Sequence, residues 1–124
     1  MKMTKTILVV DDSASMRQVI GIALKSAGYV VLEGRDGKDA LSRLSGQKVH
    51  LIISDVNMPV MDGISFVKEV KLMPDYKFTP ILMLTTESDE ARKREGQAAG
   101  ARAWMVKPFK AEQLLAAVQK LCLP

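Results

Sequence analysis

The chain has 124 residues and a mass of 13.6 kDa, with 48% hydrophobic and 26% charged residues; this suffices for one domain with a buried core and excludes disorder. A net charge of +4 and a pI near 9.3 raise nucleic-acid binding, but the bases are spread from Lys2 to Lys120 and a 5% aromatic content gives no stacking platform, so an acidic protein partner suits the excess better. No apolar run approaches the roughly 20 residues of a membrane span, Ile7 to Val10 is too short for a signal core, and Cys122 is the only cysteine, so a cytoplasmic, reducing setting without membrane or disulfide is expected.

From the N-terminus, Thr6 to Val10 is a continuous apolar run, as expected of a central strand buried on both faces. A helix follows from about Ala14 to Ala27, with Ser13 or Ser15 as cap and Gly28 as stop. Val30 to Leu32 reads as a shorter strand, and Asp36-Gly37 turns into a helix from about Lys38 to Ser45, ended by Gly46. Val49 to Ser54 is the third strand and runs directly into Asp55. A loop from Val56 to Asp62, containing Pro59, leads to a helix from Gly63 to about Leu72 with Ile64, Val67 and Val70 inward. Met73-Pro74 breaks it. Pro80 to Leu84 is the fourth strand and delivers Thr85. A helix from about Asp89 to Ala99 stops at Gly100, Ala103 to Val106 is the fifth strand, and Lys110 to Leu121 is the last helix, with Leu114, Leu115, Val118 and Leu121 on its apolar face.

This alternation predicts an α/β fold, a doubly wound parallel sheet of five strands with five helices. Right-handed crossovers in such a sheet put the C-terminal strand ends at one rim. Asp11, Asp12, Asp55, Thr85 and Lys107 all fall there. Three aspartates gathered together repel, and a hard cation such as Mg²⁺ relieves this while keeping waters and a phosphate oxygen among its ligands. A carboxylate is also a nucleophile for phosphorus, yielding an aspartyl phosphate. The Lys107 ammonium and the Thr85 hydroxyl would offset charge on the transferred group. The set is that of Mg²⁺-dependent phosphoryl transfer onto Asp55.

These residues carry a resemblance. Through Val9-Val10-Asp11-Asp12, Asp55-Val-Asn-Met-Pro59-Val-Met-Asp-Gly63, Thr85-Thr86 and Lys107-Pro-Phe109, the chain resembles the receiver domain of two-component response regulators over essentially its whole length. The runs Asp11-Asp-Ser-Ala-Ser-Met-Arg17 and Ala98-Ala-Gly-Ala-Arg-Ala-Trp-Met-Val-Lys-Pro-Phe109 are similar to stand-alone chemotaxis-type members. The resemblance implies a flavodoxin-like sheet of order 2-1-3-4-5. It implies that Asp55 accepts phosphate from a histidine kinase or acetyl phosphate, with no other enzyme activity beyond self-phosphorylation and autodephosphorylation. Asp12, Asp55 and the Asn57 carbonyl would hold Mg²⁺, with Asp11 acting partly through water; Thr85 and Lys107 would contact phosphoryl oxygens, and Lys107-Pro108 would be a cis peptide. Asn57 and Glu87 occupy positions that set phosphate lifetime in the family, which implies a short-lived signal. Trp104 stands where the family's switch aromatic is more often Tyr or Phe. The implied partners are a chemotaxis histidine kinase, the flagellar motor switch protein and a phosphatase.

Residues on the fourth helix bear on the output. Ala91, Ala98 and Ala99 are its candidate core positions, and Gly96 costs about 1 kcal/mol of helix propensity. Arg92, Lys93 and Arg94, with Trp104 and Lys120, are candidates for a partner surface. A phosphate sink or relay in a non-motor pathway fits the same residues. An autonomous Asp-nucleophile phosphohydrolase fits poorly, because Asn57 stands two residues after Asp55, where a second acid would have to protonate the leaving group. A flavin binder fits worse, since Asp11 and Asp12 would repel the cofactor's phosphate.

Overall fold

The apolar runs pair into one parallel sheet. The computed structural model describes residues 4–86 and 90–122. Its strands are β1 (Thr6–Val10), β2 (Val30–Gly34), β3 (Leu51–Asp55), β4 (Ile81–Thr85) and β5 (Ala103–Val106), in the order β2-β1-β3-β4-β5. Between and after them run α1 (Ala14–Ser26), α2 (Gly37–Leu44), α3 (Gly63–Leu72), α4 (Glu90–Ala99) and α5 (Ala111–Leu121). The expected strand order and parallel pairing are both present.

Side-chain alternation divides the interior into two layers. Leu8, Val10, Ile52, Ile81 and Met83 face α2 and α3, packing with Leu44, Phe66, Val67 and Val70. Ile7, Val9, Leu51, Ile53, Leu82 and Leu84 face α1 and α5, packing with Ile20, Leu24, Leu114 and Val118. Every residue of β3 and β4 is buried, as a sheet covered on both faces requires. The helix starts follow their caps. Ser13, Asp36 and Asp62 accept from the backbone N–H of Met16, Asp39 and Ser65 at 3.2, 2.8 and 2.8 Å.

Several boundaries differ from the sequence reading. β2 continues through Glu33 to Gly34 because Val9 and Val10 supply their pairing partners, although Glu33 stays exposed at this edge strand. β3 begins at Leu51 rather than Val49, and Pro74–Tyr76 forms a 3₁₀ turn after α3. Tyr76 anchors that turn: its hydroxyl is directed at the carbonyls of Leu44 and of Gln47, the latter at 2.6 Å. Asp89, the expected start of the fourth helix, lies outside the described residues.

The inward stripe of α4 is corrected at Ala91 and Ala98, whereas Ala99 packs against the core as expected. Ala91 and Ala98 are exposed, Ala99 is half-buried, and Gly96 is the one buried residue of the helix. The reason is Trp104: a Cβ on Gly96 would lie 3.0 Å from the indole Cζ3. The ring fills the space that an α4 side chain would otherwise occupy, so the helix packs through its glycine.

Candidate functional site

Asp11 follows β1 directly, Asp55 and Thr85 are the last residues of β3 and β4, and Lys107 follows β5. Parallel strands in this register end together, so the four residues stand at one rim. A carboxylate oxygen from each of Asp11, Asp12 and Asp55 lies within 4.8 Å of the others. Lys107 Nζ donates to Asp11 Oδ2 at 3.0 Å and sits 3.6 Å from Asp55 Oδ1. Asp11, Asp55 and Thr85 are buried, whereas Asp12 is exposed.

The two buried aspartates are held differently. Asp11 Oδ1 accepts the Ser13 N–H at 2.9 Å while Oδ2 takes Lys107, so both of its oxygens are engaged. Asp55 Oδ1 accepts the Val56 N–H at 2.9 Å. Burial pushes the Asp55 carboxyl above its usual range; the Lys107 ammonium pulls it back, and Asp11 and Asp12 add to the rise. The Lys107 N–H donates to the Thr85 carbonyl at 2.6 Å, which fixes the last turn of backbone before the cis Lys107-Pro108 bond.

The loop after β3 closes on itself. Gly63 N–H donates to the Val56 carbonyl at 2.8 Å, and a Cβ at Gly63 would lie 2.1 Å from the Asp55 carbonyl oxygen. Only glycine permits that approach. Within the loop Val60 holds a φ of +71°, and the Met61 N–H reaches the Pro59 carbonyl at 2.7 Å, a γ-turn. Asn57 is exposed two residues past Asp55.

The donor chemistry suits Mg²⁺. All candidate ligands are hard oxygens, two of the carboxylates are buried, and the Lys107 ammonium stands against those two. The rim therefore combines a carboxylate cluster that could hold a cation, a buried carboxylate in Asp55 and an ammonium beside it. Among the sequence-predicted residues, Asp11, Asp12, Asp55 and Lys107 are brought into this cluster, and Thr85 ends the neighbouring strand. Trp104 lies further down β5, half-buried, and Glu87 falls outside the described residues.

Two residues that the sequence motifs include without assigning them a role also shape the rim. Arg17 Nη1 donates to the Asp11 carbonyl at 2.6 Å and Nε to Glu33 at 3.1 Å; a cation one turn into a helix that begins beside an acidic pair was the available signal. Gly63 is the other. A glycine opening a helix right after its Asp62 cap marks a close backbone approach. Cys122 gives no sign of reactivity, since its thiol is buried and burial pushes it up. Among the described residues no helix is long and apolar enough to cross a membrane.

Residues 7–119 match the family model described as the response regulator receiver domain. The chain is 34% identical over 114 residues to the Rhizobium etli protein named "Probable chemotaxis protein CheY", covering 91% of this chain and 88% of that one. It is 37% identical over 112 residues to the phosphate regulon transcriptional regulatory protein PhoB of Pseudomonas aeruginosa, covering 90% of this chain but 49% of that one; the chain thus spans about half the length of that regulator. Among solved structures, the chemotaxis protein CheY4 of Vibrio cholerae superimposes with a TM-score of 0.93 at 50% identity, covering 96% of this chain and 99% of that one.

Proposed function

This chain belongs to the response regulator receiver domain family, and on that premise we propose that Asp55 is its phosphoacceptor, charged by a histidine kinase. The observation that carries the reading is Lys107, whose ammonium spans Asp11 and Asp55 at 3.0 and 3.6 Å beside a three-carboxylate cluster. An Asp55 carboxylate oxygen attacks the phosphorus of a phosphohistidine. The P–N bond breaks, and the freed imidazole nitrogen takes a proton from solvent. Burial leaves the Asp55 carboxylate poorly hydrated and more basic, and Lys107 lies where negative charge collects as the acyl phosphate forms. Thr85 offers a hydroxyl at the end of β4. The Asp11, Asp12 and Asp55 carboxylates with the Asn57 carbonyl would hold Mg²⁺, which when bound supplies charge neutralisation between acceptor and phosphoryl oxygens.

The output we assign is chemotaxis, in the cytoplasm, supported by 50% identity to CheY4 over nearly the whole of both chains. The target is the flagellar motor switch protein, docking on the face of α4, β5 and α5, where Arg94 and Lys120 are exposed and Trp104 is half-buried. Phosphorylation adds about −1.5 to −2 charges at the rim, and Trp104 turning inward would carry that change to the face. Asn57 and Glu87 keep the phosphate short-lived, with a phosphatase as the third partner.

Trp104 is the sole tryptophan, so its emission reports binding of a motor-switch peptide directly. The peptide is titrated with and without Mg²⁺ and acetyl phosphate, and Asp55 phosphorylation is followed by intact mass. Tighter binding with the donor, lost in Asp55→Asn, is expected. Unchanged affinity despite phosphorylation at Asp55 would replace the motor assignment with a phosphate sink or relay. Absence of phosphorylation at Asp55 would refute the phosphoacceptor reading itself.

A further inference from the structure

We propose that Arg17 is a positioning residue for the divalent-cation site, holding the peptide between Asp11 and Asp12 so that both carboxylates reach the cation. Its side chain is only 17% exposed, and a guanidinium withdrawn that far from water needs its donors met. Two are: Nη1 donates to the Asp11 carbonyl at 2.6 Å, and Nε to Glu33 Oε1 at 3.1 Å. The planar fork thus ties the acidic loop to strand β2. The Asp11 N–H is fixed from the same side by the Gly34 carbonyl at 3.1 Å.

The Asp11 carbonyl belongs to the peptide unit that joins the two aspartates, so its orientation decides where both side chains leave the backbone. For Asp11 this matters less, because Ser13 N–H and Lys107 hold its carboxylate directly. Asp12 is the dependent one. It is exposed and its carboxylate meets no hydrogen-bond donor among the described residues, yet one of its oxygens lies within 4.8 Å of oxygens of Asp11 and Asp55. What puts it there is the backbone, and what holds that backbone is Arg17.

The charge of Arg17 works in the opposite direction, since a cation beside the site repels Mg²⁺. The two effects have opposite signs, which makes the inference testable. If charge dominated, Arg17→Met would bind Mg²⁺ more tightly and Arg17→Lys would change nothing. If positioning dominates, both variants bind more weakly, because lysine keeps the charge but cannot reproduce the fork.

The inference rests on reading the rim as a Mg²⁺ site, and the experiment separates the two. Mg²⁺ is titrated into the parent chain, Arg17→Lys, Arg17→Met and Glu33→Gln by calorimetry, and each is melted in chelator without Mg²⁺. About a tenfold rise in Kd is expected for both Arg17 variants, the scale on which outer ligand supports act, with a smaller rise for Glu33→Gln. The Kd rise should also appear in whichever variant keeps the parent's melting temperature in chelator. Unchanged binding by Arg17→Lys, or tighter binding by Arg17→Met, would overturn the inference while leaving the rim reading intact. Failure of the parent to bind Mg²⁺ would overturn both.

Discussion

Asp12→Asn should stabilise the protein without Mg²⁺ and remove most of the stabilisation that Mg²⁺ confers. Asp12 faces two carboxylates, Asp11 and Asp55, with oxygens within 4.8 Å, and one ammonium, Lys107, stands against those two. It therefore meets a net charge close to minus one. Two unit charges at that separation repel by about 0.9 kcal/mol in a water-like dielectric and about 3.5 kcal/mol at an effective dielectric of 20. Asp12 is exposed, so the screened figure applies. Relief of about 1 kcal/mol corresponds to a rise of roughly 4 °C in melting temperature for a domain of this size. A cation at ten times its Kd stabilises the parent by about 1.4 kcal/mol, so the order of the two melting temperatures should reverse on adding Mg²⁺. The assay is thermal unfolding by circular dichroism in chelator and in excess Mg²⁺, repeated in high salt, where the chelator difference should shrink. If Asp12→Asn melts at or below the parent in chelator, the repulsion argument is wrong. Equal Mg²⁺ shifts in both proteins would remove Asp12 from the ligand set.

Two further outcomes follow from packing and protonation. His50 is the only histidine; its Nδ1 accepts the Thr6 N–H at 3.0 Å, its buried Nε2 meets no partner among the described residues, and burial, aided by Lys48 and Lys5, lowers its pKa. The unfolded chain takes up a proton near pH 6.5 that the folded chain refuses. Stability is therefore complete above that pH and declines as pH falls toward the folded-state pKa, by at most about 1.4 kcal/mol per pH unit. Urea unfolding at pH 7.5 and 5.5 should show a larger acid loss in the parent than in His50→Asn, which keeps an acceptor for Thr6; equal losses would refute it. Gly63→Ala should destabilise by about 2–3 kcal/mol, because its Cβ would meet the Asp55 carbonyl at 2.1 Å and the Val56 Cα at 2.9 Å, backbone that cannot yield as a flexible side chain does. A urea midpoint at or above the parent's, the usual result of replacing glycine in a helix, would show that the loop relaxes freely.

What the sequence disclosed and what it withheld divide along physical lines. β1, β3 and β4 announce themselves because strands buried on both faces are largely apolar, and Asp11, Asp55, Thr85 and Lys107 were legible because each stands at or just past the end of a short apolar run. Arg17, Tyr76 and the packing face of α4 were not. Each is decided by a partner distant in sequence or by a backbone group that carries no sequence signature: a carbonyl for Arg17, the Leu44 and Gln47 carbonyls for Tyr76, an indole edge for Gly96. Glu33 and Gly34 failed for a third reason. At the edge of a sheet one face is open, so a charged residue followed by glycine reads as a strand end while the neighbouring strand still pairs with it.

The register explains why the rim and the α4 face belong to one mechanical unit. Thr85 pairs with Val106 and Met83 with Trp104, so Thr85 and Trp104 stand on the same sheet face on adjacent strands, diagonal neighbours. The Lys107 N–H binds the Thr85 carbonyl at 2.6 Å, which joins the ends of both strands just where Lys107 reaches Asp11 and Asp55. At the other end of this chain of contacts, α4 rests on the indole through Gly96, its one buried residue. A displacement of Trp104 removes the contact beneath Gly96 and leaves α4 its packing on α3 and through Ala99, while α3, α1 and α5 keep larger buried side chains in Phe66, Val67, Leu24 and Val118. Register supplies the contact; coupling requires that Trp104 adopt two arrangements whose balance depends on Asp55. A Trp104 emission change that needs both the phosphodonor and Asp55, measured without any peptide present, is the signature of that second arrangement, and a spectrum indifferent to phosphorylation would confine the signal to the rim.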